Sequence, residues 1–75
     1  MAANTRLDQV PVRQFDYDDR TVIAVDFGPN VDPIVDLVDG TAILIVGDRQ
    51  RELDLPAGEV EAFNRNGIVT LEVRE

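Results

Sequence analysis

Apolar residues occur along this chain in short runs, separated by turn residues about every eight to twelve positions. β-Branched residues dominate the runs, and no window keeps a 3.6-residue period long enough for a proper helix. The pattern is typical of a sandwich or a barrel. We therefore predict an all-β fold of six or seven strands, most of them antiparallel.

Turn residues and alternation place the predicted strands at 10–17, 21–27, 34–38, 42–46, 49–55, 60–64 and 68–73. Segment 60–64 could instead form one helical turn. Pro11 confines the first strand to a sheet edge, and its apolar alternation slips between Val12 and Phe15, which predicts a bulge or a break. The run 42–46 is apolar on both faces and should be central in its sheet. Residues 1–9 are predicted to be a flexible segment that precedes one domain at 10–75.

Two dipeptides mark tight hairpin turns: Asp39-Gly40, and the predicted structural turn Asn66-Gly67. Alternation along the strands that these turns connect gives the expected core, although sequence alone leaves the strand register open. The residues expected to dominate the core are Ile23, Val25, Phe27, Ile43, Ile45, Leu53, Leu55, Ile68 and Leu71.

The chain has 75 residues and neither Cys nor His. This length allows one domain with a modest core. The missing residue types exclude disulfides, thiolate chemistry and the common zinc sites. Self-association and the solvent remain as sources of additional stability.

The charge of the chain indicates that the solvent contributes to its stability. Ten Asp and five Glu outnumber seven basic residues, all of them Arg, and the net charge is −8. Self-repulsion of this size opposes the compact state, and molar salt shortens the Debye length to about 3 Å. We expect an adaptation to high salt; the alternative is an ordinary acidic protein that lacks Lys by chance. Nucleic acid and membranes are not expected partners, and a polar N-terminus without a signal peptide favours a cytoplasmic location.

Catalytic and metal-binding chemistry has few candidate residues. Carboxylates cluster at Asp16, Asp18 and Asp19 and again at Asp36 and Asp39, which could suit a hard cation. Neither stretch has the spacing of a calcium loop, and an acidic chain forms such clusters by chance. We therefore predict that the protein is not an enzyme and uses neither a metal nor another cofactor.

The segment Ala62-Phe63-Asn64-Arg65-Asn66-Gly67-Ile68-Val69-Thr70-Leu71 resembles the A-x-x-x-N-G-V-L signature of the α-crystallin domain in small heat-shock proteins, the Hsp20 family. Further matches follow the family's order along the chain. Residues 15–29 resemble its opening strand pair, 32–37 its D-I-x-V-x-V strand, 43–47 its L-x-I-x-G motif, and 53–56 its strand that ends in Leu-Pro. The resemblance covers nearly the whole chain from Val12.

This resemblance implies a compact immunoglobulin-like antiparallel β-sandwich and a chaperone or client-binding function. Its contact surface would be a hydrophobic groove lined by Val35, Leu37, Val60 and Ala62. Partners would be proteins or unfolded clients. A second hypothesis is a non-enzymatic adaptor domain (p23-like) that binds one folded protein and holds no clients.

The sequence also departs from the family pattern. Gly28-Pro29 inverts the family's Pro-Gly, and only a few residues separate Gly47 from the strand at Leu53, where microbial members have a long exchange loop. The Ile-x-Ile tail and most of the N-terminal arm, which build the family's assemblies, are missing from this sequence. We therefore expect a monomer or a small homodimer and no large assembly.

Overall fold

The computed structural model describes residues 10–74, and all regular structure in this range is β-strand. The seven strands are β1 (Val12–Asp16), β2 (Arg20–Asp26), β3 (Ile34–Val38), β4 (Thr41–Val46), β5 (Arg49–Asp54), β6 (Glu59–Arg65) and β7 (Ile68–Arg74). The all-β prediction is confirmed, and the ambiguous segment 60–64 belongs to strand β6. Within the described range no helix is long and apolar enough to cross a membrane. The predicted flexible segment, residues 1–9, lies outside that range.

The strands form two antiparallel sheets that make a β-sandwich. Sheet A has the order β1-β2-β7-β6, and sheet B has the order β3-β4-β5. β1 is an edge strand, as Pro11 predicts, and β4 is central in its sheet, as its two apolar faces predict. The predicted bulge in the first strand is wrong. Pairing runs without a break from Val12–Val25 to Asp16–Thr21, so Val12 and Phe15 face opposite sides of one regular strand.

The core lies between the two sheets and is built from alternate residues of β2, β4 and β7. Its buried residues are Val10, Ile23, Val25, Phe27, Ala42, Leu44, Val69 and Leu71. The predictions for Ile23, Val25, Phe27 and Leu71 are therefore confirmed. Leu53 and Leu55 are partly buried and pack against this cluster.

The predicted core positions in β4 are wrong by one residue. Ile43 and Ile45 are only half-buried and lie on the outer face of sheet B, whereas Ala42 and Leu44 are fully buried. The cause is the hairpin turn that precedes the strand. It pairs Val38 with Thr41, and the register that follows places Leu44 on the inner face.

The core prediction for Ile68 is also wrong, because this side chain is 41% exposed. Ile68 pairs with Arg65 immediately after the Asn66-Gly67 turn, so it lies on the outer face of sheet A. Val69 and Leu71 alternate with it and face the core. Since side chains along a strand repeat every second residue, Ile68 and Leu71 could not both have faced inwards.

Both Asx-Gly turns have positive φ at each central residue, which is the condition for a type I′ hairpin turn. Gly40 has a φ of 76° and Gly67 a φ of 78°. Their surroundings differ, because a Cβ on Gly40 would meet no atom within 4 Å, whereas a Cβ on Gly67 would overlap the carbonyl oxygen of Gly28. In addition, the Phe27 amide donates a 2.8 Å hydrogen bond to the Gly67 carbonyl oxygen. The β6–β7 turn is therefore packed directly on the segment that leads into β3.

Replacing each turn glycine by alanine separates backbone strain from close packing. Gly40→Ala should lower the free energy of unfolding by about 1–2 kcal/mol, the cost of a left-handed conformation for an L-residue. Gly67→Ala should lower it by about 3–5 kcal/mol, because the Gly28 backbone must also move. Urea unfolding of the two variants measures both values. Equal losses would contradict the close approach between Gly67 and Gly28.

Candidate functional site

Strands β3 and β6 are edge strands of different sheets. Each is paired on one side only among the described strands, β3 with β4 and β6 with β7. An edge strand carries backbone N–H and C=O groups that can pair with another extended chain. Together with β1 and β5, the opposite edges of the two sheets, they are places where the sandwich could accept an additional strand.

The side chain of Asn64 connects these two edges. Its Nδ2 donates hydrogen bonds to the Pro33 carbonyl oxygen at 2.6 Å and to Asp32 Oδ1 at 3.3 Å. Asn64 lies near the end of β6, and Pro33 directly precedes β3. The two edge strands are thus connected at one end by these hydrogen bonds. β3 belongs to sheet B and β6 to sheet A.

The pairing register gives the direction of the four predicted groove residues. In sheet B, Val35 pairs with Leu44 and Leu37 with Ala42, and both partners are fully buried. In sheet A the corresponding residue pairs are Val60 with Val73 and Ala62 with Leu71. Residues paired across antiparallel strands lie on the same face. All four residues therefore lie on the inner faces of their sheets, and we call this candidate surface the β3–β6 groove.

Burial in the β3–β6 groove decreases from the core towards the edge strands. Leu44 and Leu71, on the neighbouring strands, are 0% exposed, whereas Leu37 is 41% exposed. Val35 and Val60 are half-buried, and Ala62 is exposed. The core thus continues outwards into an apolar surface that solvent can reach.

The other faces of both edge strands carry acidic residues beside exposed apolar ones, Ile34 and Val38 on β3 and Phe63 on β6. Asp36 alternates with Val35 and Leu37, and Glu61 alternates with Val60 and Ala62. The four groove residues are uncharged, although the protein has a net charge of −8. The four groove positions thus carry only aliphatic side chains.

In the acidic clusters considered for cation binding, Asp16 and Asp19 contact neighbouring side chains. Asp16 Oδ1 accepts hydrogen bonds from Gln14 Nε2 at 3.1 Å and Thr21 Oγ1 at 3.3 Å. Asp19 forms a 3.5 Å ion pair with Arg20. Across residues 10–74, no three acidic side chains come together in a way that could hold a metal ion.

Asn64 makes the contact between the two edges, and sequence reasoning missed it. It falls in the segment that carries the family resemblance, but nothing in the sequence alone identifies Pro33 as its partner. The available signal was its alternation with Val60 and Ala62, which places a polar side chain on an inner face. Its hydrogen-bond partners, Asp32 and Pro33, lie in the segment that leads into β3 of the other sheet.

Comparison with known families gives one match. The model described as a family of unknown function (DUF7127) matches residues 1–73. The chain belongs to DUF7127. No curated protein and no solved structure matches the chain. The DUF7127 description names no activity, so the function implied by the small heat-shock protein resemblance stays a prediction.

Two substitutions test the hydrogen bonds that connect the edges. Asn64→Ala should lower the free energy of unfolding by about 1 kcal/mol through loss of the hydrogen bonds. Asn64→Asp keeps the size of the side chain but places a carboxylate beside that of Asp32, and should cost about 1 kcal/mol more. The additional loss should shrink as salt screens the two charges. Thermal melts at low and high salt provide the measurement, and an aspartate variant no less stable than the alanine variant would contradict the connection.

Proposed function

We propose that this DUF7127 protein binds extended segments of other proteins in the β3–β6 groove, as a small heat-shock-protein-like chaperone or client-binding module. One observation carries the proposal. Val35, Leu37, Val60 and Ala62 project from the inner faces of two edge strands, where the apolar core reaches solvent. The family resemblance, which named the same residues, supports it independently of the structure.

Side-chain spacing defines the ligand. Alternate residues of a strand point the same way and lie about 6.6–6.8 Å apart. Val35 and Leu37 have this spacing on one wall, and Val60 and Ala62 have it on the other. A peptide with an Ile-x-Ile motif directs two aliphatic side chains to one side at the same spacing. The two aliphatic side chains of such a peptide could therefore contact the groove residues of both β3 and β6.

The backbone of the peptide would pair with an edge strand, which is the β-augmentation mode of recognition. Pairing with β3 would extend sheet B to four strands, and pairing with β6 would extend sheet A to five. Main-chain hydrogen bonds do not depend on sequence, so the groove would accept many clients that share the apolar spacing. Two aliphatic side chains and a short ladder must offset the ordering of the peptide, so affinity should be weak.

A short Ile-x-Ile peptide should bind with a dissociation constant on the order of 0.1–1 mM. Amide chemical shifts should change along β3 and β6, with the largest changes near Leu37 and Ala62. Ala62→Arg should abolish these changes, because a long charged side chain would enter an apolar groove. The control is Ala57→Arg, the same substitution at an exposed loop residue, which should leave the binding intact.

Several outcomes would contradict this function. Shift changes confined to the Asp16–Asp19 turn, or no changes at all, would exclude the groove as the binding surface. Binding that survives Ala62→Arg would do the same. A peptide that binds in the groove while the protein fails to suppress aggregation of an unfolded client would favour the adaptor over the chaperone.

We also propose that the protein is adapted to a salt-rich cytoplasm. The supporting observations are the net charge of −8, the complete absence of Lys and the excess of Asp over Glu. Most of the acidic residues in the described range are exposed, so their mutual repulsion acts through solvent and can be screened. Salt would thereby supply part of the stability that a small core cannot.

Raising KCl from about 0.1 M to about 3 M should raise the melting temperature by about 10 °C, equivalent to about 2 kcal/mol. Replacing the exposed turn residues Asp18, Asp39 and Asp48 by Asn reduces the net charge from −8 to −5. That triple variant should be more stable than the natural chain at low salt and should gain less from KCl. A melting temperature that stays flat or falls with salt in the natural chain would refute the adaptation.

A further inference from the structure

The outer face of sheet A differs in charge from the rest of the protein. Its outward positions carry four arginines and four carboxylates, whereas the other described residues carry two arginines and nine carboxylates. This face is therefore electrically neutral, and the rest of the described chain has a net charge of −7. The eight charged residues of the face are Arg13, Arg20, Asp26, Glu59, Glu61, Arg65, Glu72 and Arg74.

The same face exposes large apolar side chains. Phe15 on β1 is 46% exposed, Phe63 on β6 is 51% exposed, and Ile68 on β7 is 41% exposed. Val22 and Ala24 lie between them on β2 and are half-buried. Aromatic residues and arginine are enriched in protein interfaces. Their combination on an exposed sheet face is typical of a docking surface.

We infer that the outer face of sheet A is the surface through which two copies of this chain form a face-to-face homodimer. Charge selects a second copy as the occupant. Two molecules of net charge −8 repel each other, and most other contacts would bring acidic surfaces together. The outer face of sheet B, for example, carries Asp36, Glu52 and Asp54 and no arginine. Face-to-face contact through sheet A brings two neutral surfaces together.

The charge pattern also selects the symmetry axis. The register aligns Arg20, Arg74 and Glu59 in one row across the sheet, and Asp26, Ile68 and Arg65 in a row near the opposite end of the strands. A two-fold axis that runs across the strands places the first row of one copy over the second row of the other. Arg20 then faces Asp26, and Glu59 faces Arg65. An axis parallel to the strands would instead place Arg20 over Arg74, which is a like-charge contact.

The two middle rows of outward-facing residues also favour the axis that runs across the strands. Phe15 and Arg13 lie two residues apart on the outer face of β1. This axis places Phe15 of each copy over Arg13 of the other copy. A guanidinium over an aromatic ring is a favourable contact. The chain already contains one such pair, with the Arg20 guanidinium carbon 4.7 Å from the centre of the Tyr17 ring.

The size of the face predicts a weak dimer. Four strands of at most seven residues give a contact of about 19 Å by 23 Å, which is smaller than a standard specific interface. We expect a dissociation constant on the order of 10–100 µM. The β3–β6 groove faces the other side of the sheet and stays open in this dimer. The inference therefore does not depend on the proposed function.

Sedimentation equilibrium over a concentration series at about 0.15 M salt, where the Debye length is about 8 Å, tests the dimer. Glu59→Arg and Arg65→Glu should each weaken dimerisation by about tenfold, because each places like charges opposite one another. The double variant restores opposite charges and should return to near the original dissociation constant. Net charge alone cannot produce this result, since Glu59→Arg makes the protein less negative and Arg65→Glu makes it more negative.

Glu52→Arg is the matched control, an identical substitution on the outer face of sheet B. It should not weaken the dimer. A monomer at all concentrations up to about 1 mM would overturn the homodimer. A dimer that ignores both single substitutions would overturn the surface, and loss without recovery in the double variant would overturn the symmetry axis. Circular dichroism at the same salt verifies that each variant is folded.

Discussion

The rest of the structure depends on the two-residue hairpin turns at Asp39-Gly40 and Asn66-Gly67. Positive φ at both central residues makes each a tight turn, and such a turn leaves one choice for the first pair of residues beside it. Side chains alternate along a strand, so that first pair decides which residues face the other sheet. A slip by one residue would exchange the inner and outer faces of the strands. The residues of the core, of the β3–β6 groove and of the outer surface of sheet A would then change places.

The sequence was sufficient for much of the fold and insufficient for its register. Strand positions and the all-β class follow from local alternation, and in β2, where Asp26 marks the outer face, the core face was predicted correctly. In β7 the core assignment of Ile68 was wrong, although Thr70 and Glu72 mark its face as the outer one. In β4 both faces are apolar, so alternation carried no information and Ile43 was assigned in place of Leu44. The Asp39-Gly40 turn would have settled the assignment, because a two-residue turn pairs Leu37 with Ala42 and Val35 with Leu44. The Asn64–Pro33 contact joins residues 31 positions apart, and no local pattern can predict it.

Groove and core have a common physical origin in this account. Both consist of inner-face aliphatic side chains; those on central strands are covered from both sides, whereas those on the edge strands β3 and β6 are covered only in part. A sandwich with a modest core thus exposes an apolar surface that continues its core. Alternation directs the acidic residues of β3 and β6 to the outer faces, so their charge does not enter the groove.

Methyl NOE contacts measure the central claim, the inner-face register, most directly. With assigned methyl groups, Leu44 should show contacts to residues of sheet A in the core, such as Val69 and Leu71, because all three are fully buried between the sheets. Ile43 and Ile45, on the outer face, should show none. Contacts from Ile43 or Ile45 to Val69 or Leu71, with none from Leu44, would contradict the register and with it the assignment of the groove.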